Sequence, residues 1–221
     1  MTVDHHPLEA TLLAYSSGHL PEGLSLAVAT HLAWCAECRD AVAAAETAAG
    51  LLLAQGPQAE CSDALLARTL SALDHRPQPA HQPPPAPRQA LLQELKLPQP
   101  LQGYVQRLGP ARWRWLAPGV EQIPLIGRTG GGGSARLLRV RPGMRMPLHG
   151  HCGSELAVVL AGAYEDELGR FARGDLADHG EEVTHQPRSD LREGCVCLIA
   201  TDRPLRFSTP LLRLVQPMLG I

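Results

Sequence analysis

Three metal-competent side chains fall within one short window: His31, Cys35 and Cys38, in the pattern His-x3-Cys-x2-Cys. At i, i+4 and i+7 they share one face of a continuous helix or gather around a helix's N-terminal turn, where one ion can reach all three. Imidazole with thiolate suits zinc, and a closed tetrahedral site needs a fourth donor. His6 supplies it if the helix it precedes runs antiparallel to the one ending near His31; His5 is its adjacent competitor. Two histidines and two cysteines with no open position make a structural site, a staple for a helical module whose own core is marginal. Further along, His149 and His151 stand two apart, on one side of an extended strand, and Glu155 opens the apolar run that follows.

The elements that must place these groups divide into two halves. Residues 1–76 are rich in Ala and Leu at helical spacing. They predict helices over about 7–17 behind Pro7, over Leu24–Trp34, over about Glu37–Gln55, and from a Ser62-Asp63 cap to Asp74. Residues 77–100 hold eight prolines, which predicts an extended, semi-rigid linker with no helix. Beyond it, short apolar runs bounded by Gly and Pro predict strands at 112–117, 120–126, 134–140, 145–148, 155–160, 163–167, 194–200 and 211–217, with a tight turn at Gly162. The fold class is α+β in two domains: an N-terminal all-α zinc-binding helical bundle over 1–76, the linker over 77–100, and a C-terminal all-β barrel over 101–221.

Composition narrows the function. With 44% hydrophobic and 19% charged residues the chain can bury a sizeable core. Residues 1–76 carry three Lys/Arg against nine Asp/Glu, and residues 77–221 carry seventeen against thirteen. Neither half has the dense basic stripe that nucleic-acid binding uses, so no direct nucleic-acid partner is expected. The N-terminus lacks the basic and apolar regions of a secretory signal, and no apolar run reaches about 18 residues, so a cytoplasmic chain with no membrane contact is expected. There, six cysteines suit metal or thiol chemistry rather than disulfides. Gly130–Gly133 precedes no phosphate-loop lysine and reads as a connecting loop; no nucleophile elbow occurs.

The spacing Gly143-x5-His149-x-His151-x3-Glu155-x6-Gly162 resembles the first metal-binding motif of the cupin barrels at every named position, and Gly169-x4-Gly174-Asp175 is similar to the glycine turn of the second. That second motif implies one more histidine. Two are available: His185, in Val183–Pro187, which reads as the start of a strand, and His179, in a polar stretch that reads as a loop tip; His185 is the choice. Imidazoles with one carboxylate hold Zn, Mn or Fe, and the donor set alone does not select among them. Cys195 and Cys197 share one side of a strand, and Cys152 lies between ligands. Core packing is the plain reading of the strand pair; a redox-sensitive thiol, the sharper one, requires exposure and a lowered pKa.

Together the halves resemble the ChrR-type zinc-binding anti-sigma factors of bacteria, over essentially the whole chain: His6 with His31-LAW-Cys35-AE-Cys38, then His149, His151, Glu155 and His185 with its HQP, and the Cys195-Val-Cys197 strand. The resemblance implies a regulator, not an enzyme. Its N-terminal helices would clamp an extracytoplasmic-function (group IV) sigma factor one to one, and its cupin would respond to singlet oxygen or organic hydroperoxides. The alternative is a metal-dependent cupin enzyme, a dioxygenase or isomerase, fused to a zinc-binding targeting module; against it, no acid/base pair stands beside the ligands.

Overall fold

The computed structural model describes residues 2–74, 93–108, 112–127 and 133–207. Helix α1 (Glu9–Ser16) follows Pro7 and stops before Gly18, which takes a φ of 72°. Helix α2 (Glu22–Leu32) starts two residues earlier than predicted, because Pro21 already holds a helix-compatible φ of −52° at its N-cap. It ends in a turn in which Trp34 N and Cys35 N both donate to the His31 carbonyl. His31 and Cys35 therefore do not share a continuous helix. His31 closes α2, Cys35 caps α3 (Ala36–Ala54), and Cys38 lies in the first turn of α3. Helix α4 (Asp63–Asp74) begins at Ser62, whose Oγ accepts from Leu65 N at 3.2 Å.

Residues 77–92 of the proline-rich run, the glycine run 130–132 and the strand predicted at 211–217 lie outside the described residues. The end of the proline-rich run is helical where an extended linker was expected. Helix α5 (Gln99–Arg107) opens behind Pro98 and carries Pro100 in its first turn, where a missing amide donor breaks no helical bond. Leu95, Leu97, Leu101 and Val105 are buried.

The strands are β1 (Arg114–Ala117), β2 (Val120–Ile126), β3 (Ser134–Val140), β4 (His149–His151), β5 (Glu155–Asp166), β6 (Gly169–Ala172), β7 (Leu176–His179), β8 (Thr184–His185), β9 (Arg188–Ser189), β10 (Cys195–Thr201) and β11 (Leu205–Phe207). All pairings are antiparallel. One sheet runs β1-β2-β3-β10-β5-β6, with β7 and β9 also on β5; the other runs β11-β4-β8. Two expectations are corrected. The strand placed at 145–148 is a single bridge at Arg145, and the ordered strand is His149–His151 itself. Gly162 does not turn the chain: β5 continues through it, with Gly162 paired to Cys195 at a φ of 68°, and the pairing with β10 slips by one residue between Val196 and Cys197, a bulge at Leu160.

The helices do not keep a core to themselves. Leu24, Val28 and Val42 join Leu137, Leu156, Val158 and Leu198 in one apolar cluster, each buried Leu or Val contributing roughly 1.5–3 kcal/mol. Gly23 permits this approach, since a Cβ there would stand 3.0 Å from the Ser134 carbonyl oxygen. A second cluster fills the barrel with Val120, Val140, Val159, Phe171, Cys195 and Cys197. Helix α4 stays outside both and buries none of its residues. No described helix is long and apolar enough to cross a membrane.

Candidate metal centres

The helical module brings His6, His31, Cys35 and Cys38 together, with one ligand atom from each inside a 4.8 Å span. Cys35 Sγ and Cys38 Sγ stand 3.3 and 3.4 Å from His6 Nδ1, and His31 Nε2 stands 3.3 Å from Cys38 Sγ. Metal–ligand bonds of about 2.0–2.3 Å at tetrahedral angles give edges of roughly 3.3–3.8 Å, so the four donors fit one small divalent ion. His5 turns away: its ring lies on Phe171 at 4.2 Å, with Nδ1 facing Asp175 at 3.6 Å.

The surroundings suit the charge that these donors must carry. Cys35 caps α3 and its sulfur accepts from Cys38 N at 3.4 Å, so both sulfurs sit at the positive, N-terminal end of a helix. Burial pushes the metal-free Cys38 thiol up to about 12, and binding an ion has to displace that proton. His31 is fully buried, and burial lowers its pKa, leaving the neutral imidazole that ligates. Its outer nitrogen, Nδ1, donates to the Gly174 carbonyl at 2.8 Å, which fixes the tautomer and aims Nε2 at the site. Gly174 belongs to the β-domain, so the barrel orients a donor of the helical centre.

In the barrel, β4 contributes His149 and His151, β5 opens with Glu155, and β8 ends with His185; all four are buried with ligand atoms within 4.8 Å. His149 Nε2 and His185 Nε2 are 3.1 Å apart, and Asp166 accepts from His185 Nδ1 at 2.8 Å, orienting that ring as Gly174 orients His31. Burial holds the metal-free His149 at about 4 and His151 at about 3, and pushes Glu155 up to about 7. Both ring nitrogens of His151 are buried without a hydrogen bond, the mark of a place built for a cation.

His179 overturns its reading as a loop tip. It ends β7 directly across from Glu155, is fully buried, and packs edge-on to His185 at 4.5 Å with neither ring nitrogen hydrogen-bonded. With Asp166 and His185 it forms a third close group that shares His185 with the first four residues. The polar run after it hid the strand; only the long-range pairing with β5 reveals the side chain's direction. Cys195 and Cys197 are buried in β10, and the Cys197 thiol is raised by its hydrogen bond to Cys195 and by burial, opposite to what a reactive thiolate needs. Cys152 is half-buried between β4 and β5.

A helical cluster of two histidines and two cysteines packed on a barrel with three histidines and a glutamate defines a protein of the cupin class with two sites that could each hold a metal ion. Residues 102–204 match the family described as the ChrR Cupin-like domain. Over 225 residues, covering all of both chains, the sequence is 42% identical to the anti-sigma-E factor ChrR of Cereibacter sphaeroides. The crystal structure of Rhodobacter sphaeroides SigE in complex with the anti-sigma ChrR matches with a TM-score of 0.73 and 39% identity, over 90% of this chain and 99% of that one. The chain belongs to the ChrR family.

Proposed function

We propose that this chain is an anti-sigma factor. One zinc ion on His6, His31, Cys35 and Cys38 staples its helical module, which binds an extracytoplasmic-function (group IV) sigma factor one to one and covers the surface that factor offers to RNA polymerase. The observation that carries the proposal is apolar surface with no partner among the described residues. Leu51, Leu52 and Leu53 at the end of α3 are exposed, as are Leu65, Leu66, Leu70 and Leu73 along α4. Patches of this kind mark interfaces. A relative of this length and similarity that has been crystallised on a sigma factor supports the choice of partner, and net charge of −6 on residues 1–76 suits steering toward basic protein surfaces. The site of action is the cytoplasm, where reduced cysteines persist.

The cupin is the sensor. His149, His151, Glu155 and His185 hold Zn or another divalent metal, Mn or Fe, and the domain answers oxidative stress, singlet oxygen or organic peroxides. Cys152, on the half-buried loop, is the more accessible of the three candidate redox thiols, with Cys195 and Cys197 behind it in the core. The test is co-expression of the full chain with its sigma factor, followed by gel filtration and metal analysis. A stable one-to-one complex is expected; separate elution of the two proteins with zinc retained refutes the clamp. His149→Ala and Glu155→Ala are expected to keep sigma binding and to blunt induction in cells.

A further inference from the structure

We propose that the barrel interior is a binding site for a small amphiphilic anion, a carboxylate-class head on an apolar tail. A cavity of about 390 Å³ opens beside His149, Glu155 and His185, inside the range of about 300–1,000 Å³ usual for small-molecule sites. At roughly 30 Å³ per water-sized group it holds about a dozen non-hydrogen atoms. Leu116, Leu138, Val140, Ala157 and Ile199 make its walls. Such walls gain nothing from water, and an apolar chamber that ends on a polar centre suits a ligand with a buried tail and one polar end.

Two features select the head. Around the centre, a divalent ion and the buried Arg136 guanidinium stand against the Glu155 and Asp166 carboxylates, which leaves one net positive charge in a buried place, and a monoanion neutralises it. Tyr164 is the second feature. It lines the same cavity and is only 6% exposed, and its hydroxyl is buried without a hydrogen-bond partner. Its ring is stacked on Phe171 at 4.9 Å, which holds the hydroxyl in place. Burial keeps that hydroxyl protonated.

The site belongs to the cupin alone and is tested without a sigma factor, so its failure leaves the anti-sigma reading standing. The experiment is isothermal titration of the zinc-loaded full chain with straight-chain carboxylates from propionate to octanoate, with metal content assayed before and after. Affinity is expected to rise about fourfold per added methylene, the gain from burying one CH₂ group. Octan-1-ol, with the same tail and a neutral head, is expected to bind at least tenfold more weakly than octanoate. Tyr164→Phe should weaken octanoate about tenfold with the metal retained, and Ala157→Phe, which fills the chamber, should abolish binding. Octanoate no tighter than propionate refutes the apolar site, and octanol equal to octanoate refutes the anionic head; both results come from the unaltered chain and need no variant to fold.

Discussion

Cys35 does two jobs, and a single substitution separates them. Its sulfur caps α3 and also faces His6. Serine is a good N-cap but a poor zinc ligand. Cys35→Ser is therefore expected to keep the start of α3 while losing the helical zinc, and with it a coupled folding energy of order 10–16 kcal/mol. Metal analysis should find one zinc fewer per chain, and gel filtration should find no sigma complex; a zinc-free variant that still binds its sigma factor would disprove the staple. Glu155 sets a pH dependence at the other centre. Its metal-free carboxyl sits at about 7 while His149 and His151 sit at about 4 and 3. Metal binding needs the carboxylate, so Glu155 should make cupin affinity fall about tenfold per unit as pH drops below 7 and level off above it, with no contribution from His149 or His151 above about pH 5. The sign reverses for stability without metal. Because the folded value lies above the ordinary 4.5, what Glu155 adds to stability is full below about 4.5 and is lost as pH rises through 7. Competition with a chelator at pH 6, 7 and 8 measures the first effect.

Among elements, α4 and Gly162 in β5 make opposite demands. Leu66→Asp with Leu70→Asp alters exposed positions of a helix that buries none of its residues. It should leave urea unfolding within about 0.5 kcal/mol of the parent, while cutting sigma affinity by two orders of magnitude or more. Gly162→Ala should act the other way. A Cβ there drives into the Gly194 carbonyl, and the φ of 68° is one that alanine resists, so a loss of about 2 kcal/mol or more is expected in the same unfolding assay. How far each element could be read from sequence follows the range of its contacts. His31, Cys35 and Cys38 were legible because a helix-turn-helix spacing is local, as was the His149-x-His151-x3-Glu155 run. Strand β7 was not, since its four residues owe their conformation to β5, some twenty residues earlier in sequence, and the polar residues after His179 mimic a loop tip. Helix α5 was missed because Pro98 and Pro100 read as breakers, although both stand where a helix tolerates proline.

At the scale of the whole molecule, four residues in one five-residue stretch of the barrel, Gly174, Asp175, Leu176 and Asp178, hold the helical centre in place. Gly174 accepts from His31, and Asp175 Oδ1 accepts from the backbone N–H of Asp4 and His5 at 2.8 and 3.1 Å. Leu176 N donates to the His5 carbonyl, and Asp178 accepts from Leu8 N at 3.0 Å. His6 hangs from this strap. The next residue, His179, faces Glu155 inside the cupin centre, so strand β7 links the segment that carries His6 to that centre. Such a route carries a signal only if altering one end changes the other. Asp175→Asn tests the strap: both carboxylate oxygens accept backbone N–H groups, with Ala172 N on Oδ2 at 2.7 Å, and an amide has only one acceptor to offer. The expected outcome is release of the helical zinc to a chelator about tenfold faster, at the low end of the 10–100-fold cost of losing an outer-shell partner, with the cupin metal unaffected. Zinc release at the parent rate would mean that the two halves are merely packed together, and that a change in the barrel must reach the sigma-binding surface through the α2 face that lies across β3, β5 and β10.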